Sequence, residues 1–158
     1  MEKRATEVKK NVFKIVMKTE LVINYDQPVS EIALPKKVRD VNRGLYKVKV
    51  EKTGETKVKV VLMDLGLEVC HKTAKMIMKK AGISQAGIHE IIHFVSVMPE
   101  DLPENKFYIS SLREESKHGP LELIPTICVY GKNSVNISLG LRDDLPLLKT
   151  YFLGIEDN

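Results

Sequence analysis

Between Phe13 and Tyr25 the chain alternates with a period of two. Phe13, Ile15, Met17, Leu21, Ile23 and Tyr25 fall on one side, and Lys14, Lys18, Glu20 and Asn24 on the other. Successive side chains of a strand point to opposite faces, so this run predicts a half-buried strand and commits the fold to a sheet with a covered face. The pattern returns in Leu45 to Thr53 and in Thr56 to Asp64, where Tyr46, Val48, Val50, Val58 and Val60 alternate with polar residues around Gly54. That arrangement predicts a hairpin. Lys106 to Leu112 reads as a short strand. Leu121 to Gly131 and Ser134 to Leu141 read as a second hairpin through Lys132 and Asn133.

Only one stretch carries a clear helical period. From Gly66 to Gly82, Cys70, Ala74, Ile77, Met78 and Ala81 form one stripe, Lys72, Lys75 and Lys79 lie opposite, and Gly82 stands where a helix would stop. Pro35 to Gly44 reads as a short helix. A second short one is expected to start at Asp143 or Asp144, with Pro146 in its first turn and Gly154 beyond its end. Strands with one good helix and two short ones make an α+β fold. A chain of 158 residues is most simply one domain. Residues 1–10 read as a frayed helix or a disordered arm.

Composition excludes several classes. Hydrophobic residues at 43% and charged residues at 29% belong to an ordered globular chain. No apolar run approaches the roughly 20 residues that span a bilayer. The first ten residues lack the apolar core of a secretion signal, so a cytoplasmic location is expected. The net charge of +4 comes from lysines spread along alternating segments, a solvated face rather than a nucleic-acid footprint. Cys70 and Cys128 sit in apolar patterns without metal spacing and read as buried free thiols.

The segment Ile88 to Glu100, Ile-His-Glu-Ile-Ile-His-Phe-Val-Ser-Val-Met-Pro-Glu, supports two chemistries. His89, Glu90 and His93 match H-E-x-x-H, in which two imidazoles hold zinc and the glutamate polarises a bound water. On a helix, positions i and i+4 lie about 6 Å apart. On a strand they lie about 13 Å apart and cannot share an ion. Ile88, Ile91, Ile92, Val95 and Val97 favour a strand, so an extended run from Ile88 to Met98 is expected. Glu114, Glu115 or His118, in a polar loop, could supply a third zinc ligand.

The second chemistry rests on order as well as on motif. A Lys57-to-Leu65 strand leads to a helix ending Ala81-Gly82-Ile83. Then come Ser96-Val97-Met98-Pro99, Gly119-Pro120 with Ile124-Pro125-Thr126, and a strand from Val135 to Leu141. Over about residues 57–144 this resembles the pyruvoyl-dependent arginine decarboxylases. The resemblance implies mainly antiparallel sheets in a sandwich, with residues 11–55 as an added strand-helix-strand segment. It also implies self-cleavage between Val95 and Ser96. The Ser96 hydroxyl attacks the Val95 carbonyl, an ester forms, and elimination followed by loss of ammonia leaves Ser96 as a pyruvoyl group. That group would serve as the cofactor for decarboxylating an amino acid.

This chain departs from the family at three places. Val95 replaces a serine, Lys75 stands where an acidic residue helps hold the guanidinium of the substrate, and Leu153 occupies the place of the catalytic glutamate. Glu156 lies three residues on, and Glu20 becomes a candidate acid if residues 11–55 replace the missing C-terminal half. The partners implied are a small amino-acid substrate and further copies of the chain, as a trimer or a pair of trimers. The alternatives are a non-catalytic oligomeric or interaction module with the same fold, and a zinc hydrolase built on His89, Glu90 and His93.

Overall fold

A computed structural model describes residues 13–47, 50–66, 71–111, 116–118, 121–141 and 149–156. Among the described residues, nine strands and two helices succeed one another as β1 (Lys14–Asn24), β2 (Val38–Val41), β3 (Glu55–Asp64), α1 (His71–Lys80), β4 (Ile83–Gln85), α2 (Ile88–Phe94), β5 (Phe107–Ser110), β6 (Ser116–His118), β7 (Leu121–Val129), β8 (Val135–Leu141) and β9 (Lys149–Glu156). Short 3-10 turns lie at Val29–Glu31 and Arg43–Lys47. The fold is α+β. No helix among the described residues is long and apolar enough to cross a membrane.

All nine strands join one mixed sheet in the order β1-β3-β9-β5-β7-β8-β2, with β4 also paired to β9 and β6 to β7. Most pairings are antiparallel, and β2–β8 and β5–β9 are parallel. Each sheet face buries its own apolar cluster. Val61, Met63 and Phe152 meet Ala74 and Met78 of α1 on one face. Ile23, Val60, Leu62, Ile109, Tyr151 and Leu153 meet Ile88, Ile91, Ile92 and Phe94 of α2 on the other. The strands β3 and β9 lie inside the sheet and are covered on both sides. Their continuous runs Val60-Val61-Leu62-Met63 and Tyr151-Phe152-Leu153 are therefore buried without alternation.

The strand at Phe13 to Tyr25, the strand at Lys106 to Leu112 and the hairpin at Lys132-Asn133 form as β1, β5 and β7–β8, but a bulge between Ile15 and Met17 puts Phe13 and Ile15 on the α1 side, away from Met17, Leu21, Ile23 and Tyr25. The long helix stands too, in its described part. Ala81 N–H reaches Ile77 O at 3.1 Å, and Gly82 leaves the helix at φ +73°, a conformation that favours glycine. Residues 67–70, and with them Cys70, lie outside the described residues. Cys128 is a buried free thiol, as expected.

Four expectations are corrected. Among the described residues the hairpin around Gly54 does not form, and Val48 and Lys49 lie outside them. Asn42 turns the chain, its side-chain oxygen accepting from Gly44 N–H at 2.8 Å and its carbonyl from Leu45 N–H at 3.0 Å, and Leu45 is buried in the resulting 3-10 turn. The partner of β3 is instead β1, extended by Tyr25 N–H to Gly54 O at 2.9 Å. Pro35 opens a single turn rather than a helix, and Val38 to Val41 then runs parallel to β8. Toward the C-terminus, Lys149–Glu156 is the strand β9 where a helix was expected up to Gly154; residues 142–148 lie outside the described residues. The fourth correction is the largest. Ile88 to Phe94 is helical, not extended.

The reason lies in period rather than composition. Ile88, Ile91, Ile92 and Val95 fall at i, i+3, i+4 and i+7, the spacing of one helix face. All four are at most 2% exposed against the sheet. The preference of isoleucine and valine for strands is worth less than burying that stripe.

Candidate functional site

The helix α2 brings His89 and His93 to one face, as the H-E-x-x-H spacing requires, but commits the motif to packing. Gln27 O lies 2.9 Å from His89 Nε2, and a carbonyl only accepts, so Nε2 carries the proton. Glu90 is 2% exposed and its Oε1 accepts from the Tyr25 hydroxyl at 3.2 Å and from Lys52 Nζ at 3.2 Å. The Tyr25 ring meets the His89 ring edge-on at 5.3 Å, and Lys52 Nζ lies 5.2 Å from the centre of the Tyr25 ring. The histidine and the glutamate therefore anchor α2 to the end of β1 and to the loop before β3.

Two imidazole nitrogens, His89 Nδ1 and His93 Nε2, are buried without a hydrogen-bond partner among the described residues. A closed zinc site needs four ligands and a catalytic one three, and no group of three His, Cys, Asp or Glu among the described residues could hold a metal. Glu114 and Glu115 lie outside the described residues, and of His118 only the backbone, in β6, is described.

Burial holds the His93 imidazole below its ordinary 6.5, and the charge of His89 adds to the effect, against an opposing pull from Glu90. Folded chains then bind fewer protons at this ring than unfolded ones. The stability it contributes is complete above about pH 6.5 and is lost as the pH falls through the lower folded value. Urea denaturation at steps from about pH 7 to about pH 5 should show stability falling with acid, and His93→Gln should flatten that slope. Equal slopes in the two proteins would show that His93 is not the group.

Ser96 stands in the turn that ends α2. Val95 is fully buried in right-handed helical backbone, at φ −54° and ψ −35°. The amides of Ser96 and Val97 are tied back to His93 O at 3.3 Å and Phe94 O at 3.0 Å. Ser96 itself is exposed. The two candidate acids lie elsewhere. Glu20 is on β1, 4.0 Å from Lys57 Nζ, and Glu156 is on β9, 3.1 Å from Lys18 Nζ. By strand alternation Glu20 and Glu156 share the sheet face that α1 covers, whereas α2 and Val95 pack on the opposite face. The structure thus groups the histidines with Glu90 and separates Ser96 from both acids.

A site that the sequence did not single out lies on the α2 side, at one end of the sheet. The loop that follows α2 and the β7–β8 turn enclose a cavity of about 240 Å³. Met98, Leu102, Phe107 and Val129 give it an apolar wall. Lys37, Lys132, Glu100 and Glu104 bring charges of both signs, and Asn105 and Asn133 line it too. Glu104 is fixed in place because it accepts a hydrogen bond from the Tyr151 hydroxyl. The Tyr151 ring is 2% exposed and stacks edge-on with Phe107 at 5.5 Å, and Lys149 Nζ lies 5.5 Å from its centre. Burial and then the Glu104 carboxylate push the Tyr151 hydroxyl well above its ordinary range, so it stays a donor. Lys149 also binds Asp64 at 2.5 Å, which holds the Asp64 carboxyl below its ordinary value despite partial burial. The signal available in the sequence was the loop from Pro99 to Asn105, marked by two prolines, too long for a tight turn and carrying Glu100 and Glu104.

No protein-family model, no curated protein and no solved structure matches this chain.

Proposed function

We propose that the chain is a binding module for a small zwitterion, an amino acid or a close chemical relative, held in the cavity between the loop after α2 and the β7–β8 turn. The observation that carries this reading is the pairing of opposite charges around an apolar wall in so small a space. Lys37 and Lys132 suit a carboxylate, Glu100 and Glu104 suit an ammonium group, and Met98, Leu102, Phe107 and Val129 suit the side chain. A volume of about 240 Å³ fits a molecule smaller than the drug-sized ligands of most pockets. The bond from Tyr151 sets the Glu104 carboxylate before any ligand arrives, which lowers the ordering cost of binding.

Titration calorimetry with the common amino acids, and with acetate and methylamine as half-ligands, tests this. At least one amino acid should bind, and each half-ligand far more weakly. Glu104→Gln keeps an acceptor for Tyr151 but removes the charge, and should weaken binding about tenfold. Absence of binding, or binding indifferent to Glu104→Gln and to Lys37→Ala, would remove the proposal.

A second reading keeps self-processing at Val95–Ser96 and a pyruvoyl-dependent decarboxylase, with the same cavity taking the amino-acid substrate. What favours it is position: Ser96 is exposed and stands two residues before Met98, which lines the cavity. Its test is intact mass. Two fragments meeting at residues 95 and 96, with loss of ammonia, support it. A single unmodified chain after prolonged incubation removes it and leaves the binding module untouched.

A further inference from the structure

We propose that two copies of this chain pair edge to edge through β1, antiparallel about a two-fold axis at Thr19. Among the described strands β1 is the longest, at 11 residues, and it pairs with β3 alone, so its other edge presents a row of backbone donors and acceptors. Two of the large hydrophobic residues that the described fold leaves exposed lie on this strand, Ile15 at 40% and Val22 at 55%.

The occupant is written in the strand itself. Lys-Ile-Val-Met-Lys-Thr-Glu-Leu-Val-Ile-Asn reads as a palindrome in chemical character. With Thr19 on the axis, Lys18 of each copy faces Glu20 of the other and Met17 faces Leu21. Directly opposed residues of an antiparallel pair point to the same face. Lys18 and Glu20 are exposed on the α1 side, so both charge pairs form in solvent on that side. Met17 and Leu21 continue the buried cluster of the α2 side from one copy into the next.

The register is specific. Moving the axis to Lys18 sets lysine against lysine, and moving it to Glu20 sets glutamate against glutamate, arrangements that destabilise a ladder. A shift that brings odd positions opposite even ones would set an exposed face against a buried one. The irregularity between Ile15 and Met17 confines close pairing to the central part of the strand. The contacts of Lys18 with Glu156 and of Glu20 with Lys57 are exposed and too weak to compete with a strand interface. The interface is isologous and closes on itself as a dimer, unlike the trimer that the decarboxylase resemblance implies.

Sedimentation velocity over a concentration series tests the proposal. Wild type should dimerise. Lys18→Glu sets glutamates opposite each other twice per interface and should raise the dimer dissociation constant about tenfold or more. The double reversal Lys18→Glu with Glu20→Lys restores both pairs and should bring it back to within about threefold of wild type. Circular dichroism of each variant should match wild type, since both positions are exposed. A wild-type monomer at about 100 µM, an assembly indifferent to Lys18→Glu, or a double reversal as weak as the single would each overturn it.

Discussion

Phe94→Ala lowers the stability of this protein by about 3–5 kcal/mol, the range for deleting a fully buried aromatic side chain. Phe94 closes α2 and is fully buried in the larger of the two clusters, beside the isoleucine stripe and under the strands that carry Ile109, Tyr151 and Leu153. A total of about 5–15 kcal/mol is all that a domain of this kind commonly has, so the variant should stand near the unfolding threshold at 37 °C. The helix also launches the loop that walls the cavity, so the loss should also disturb Met98 and Leu102, which line it. Urea titration should show a lower midpoint with an unchanged slope. Met76→Ala is the control, because Met76 is 53% exposed on α1 and should change stability by less than about 0.5 kcal/mol. A Phe94→Ala loss as small as that of the control would mean that α2 does not pack as described.

Gly154→Ala has the second large effect, on the opposite face. Gly154 lies in β9 where that strand pairs with β3 through Val61 and with β4 through Gln85. A Cβ there would fall 2.3 Å from Ile83 Cγ2, 2.8 Å from Met78 Cε and 2.9 Å from the Ser84 carbonyl oxygen. The methionine can swing aside. The carbonyl belongs to the paired strand and the isoleucine is itself buried, so β4 must move away from β9. Overpacking of this kind typically costs about 1–3 kcal/mol, and a backbone contact places this site at or above the upper end. The larger Gly154→Val should unpair β4 altogether, seen as loss of amide protection at Ile83 to Gln85 in hydrogen exchange. Met78→Ala should relieve part of the strain in Gly154→Ala, because it removes one of the three contacts. Wild-type stability in Gly154→Ala would contradict the close approach of these elements.

The parts of the fold that were legible in the sequence are those whose period and partner are local. The alternation of β1 from Met17 to Tyr25, the β7–β8 hairpin and the lysine-faced stripe of α1 each carry their own pattern, and the structure keeps them, whereas the bulge between Ile15 and Met17 turns Ile15 and Phe13 to the α1 side. What was not legible depended on distant partners. The run before Gly54 alternates like a strand but is captured by the Asn42 turn, and β3 takes the edge of β1 instead. Tyr151, Phe152 and Leu153 look like the end of a helix until the strands on either side are known. At Ile88 to Val95 the helical period is present in the sequence, but the β-branched composition points to a strand. The two chemical motifs of that segment were visible as residues and not as a site. Only the fold shows that Glu90 accepts from Tyr25 and Lys52, or that Ser96 and the candidate acids lie on different sides of the sheet. The cavity has no motif at all, since its charges come from three separate stretches of chain.

On the proposed reading, a ligand binds in the cavity between the loop after α2 and the β7–β8 turn and not at the histidines of α2. Amide chemical-shift mapping during titration with the tightest-binding amino acid tests it most directly. Saturable shifts should concentrate at Met98 to Phe107 and Val129 to Asn133, with His89, Glu90 and His93 still. Shifts centred on α2 and the Tyr25 loop, or none anywhere in the chain, would contradict it.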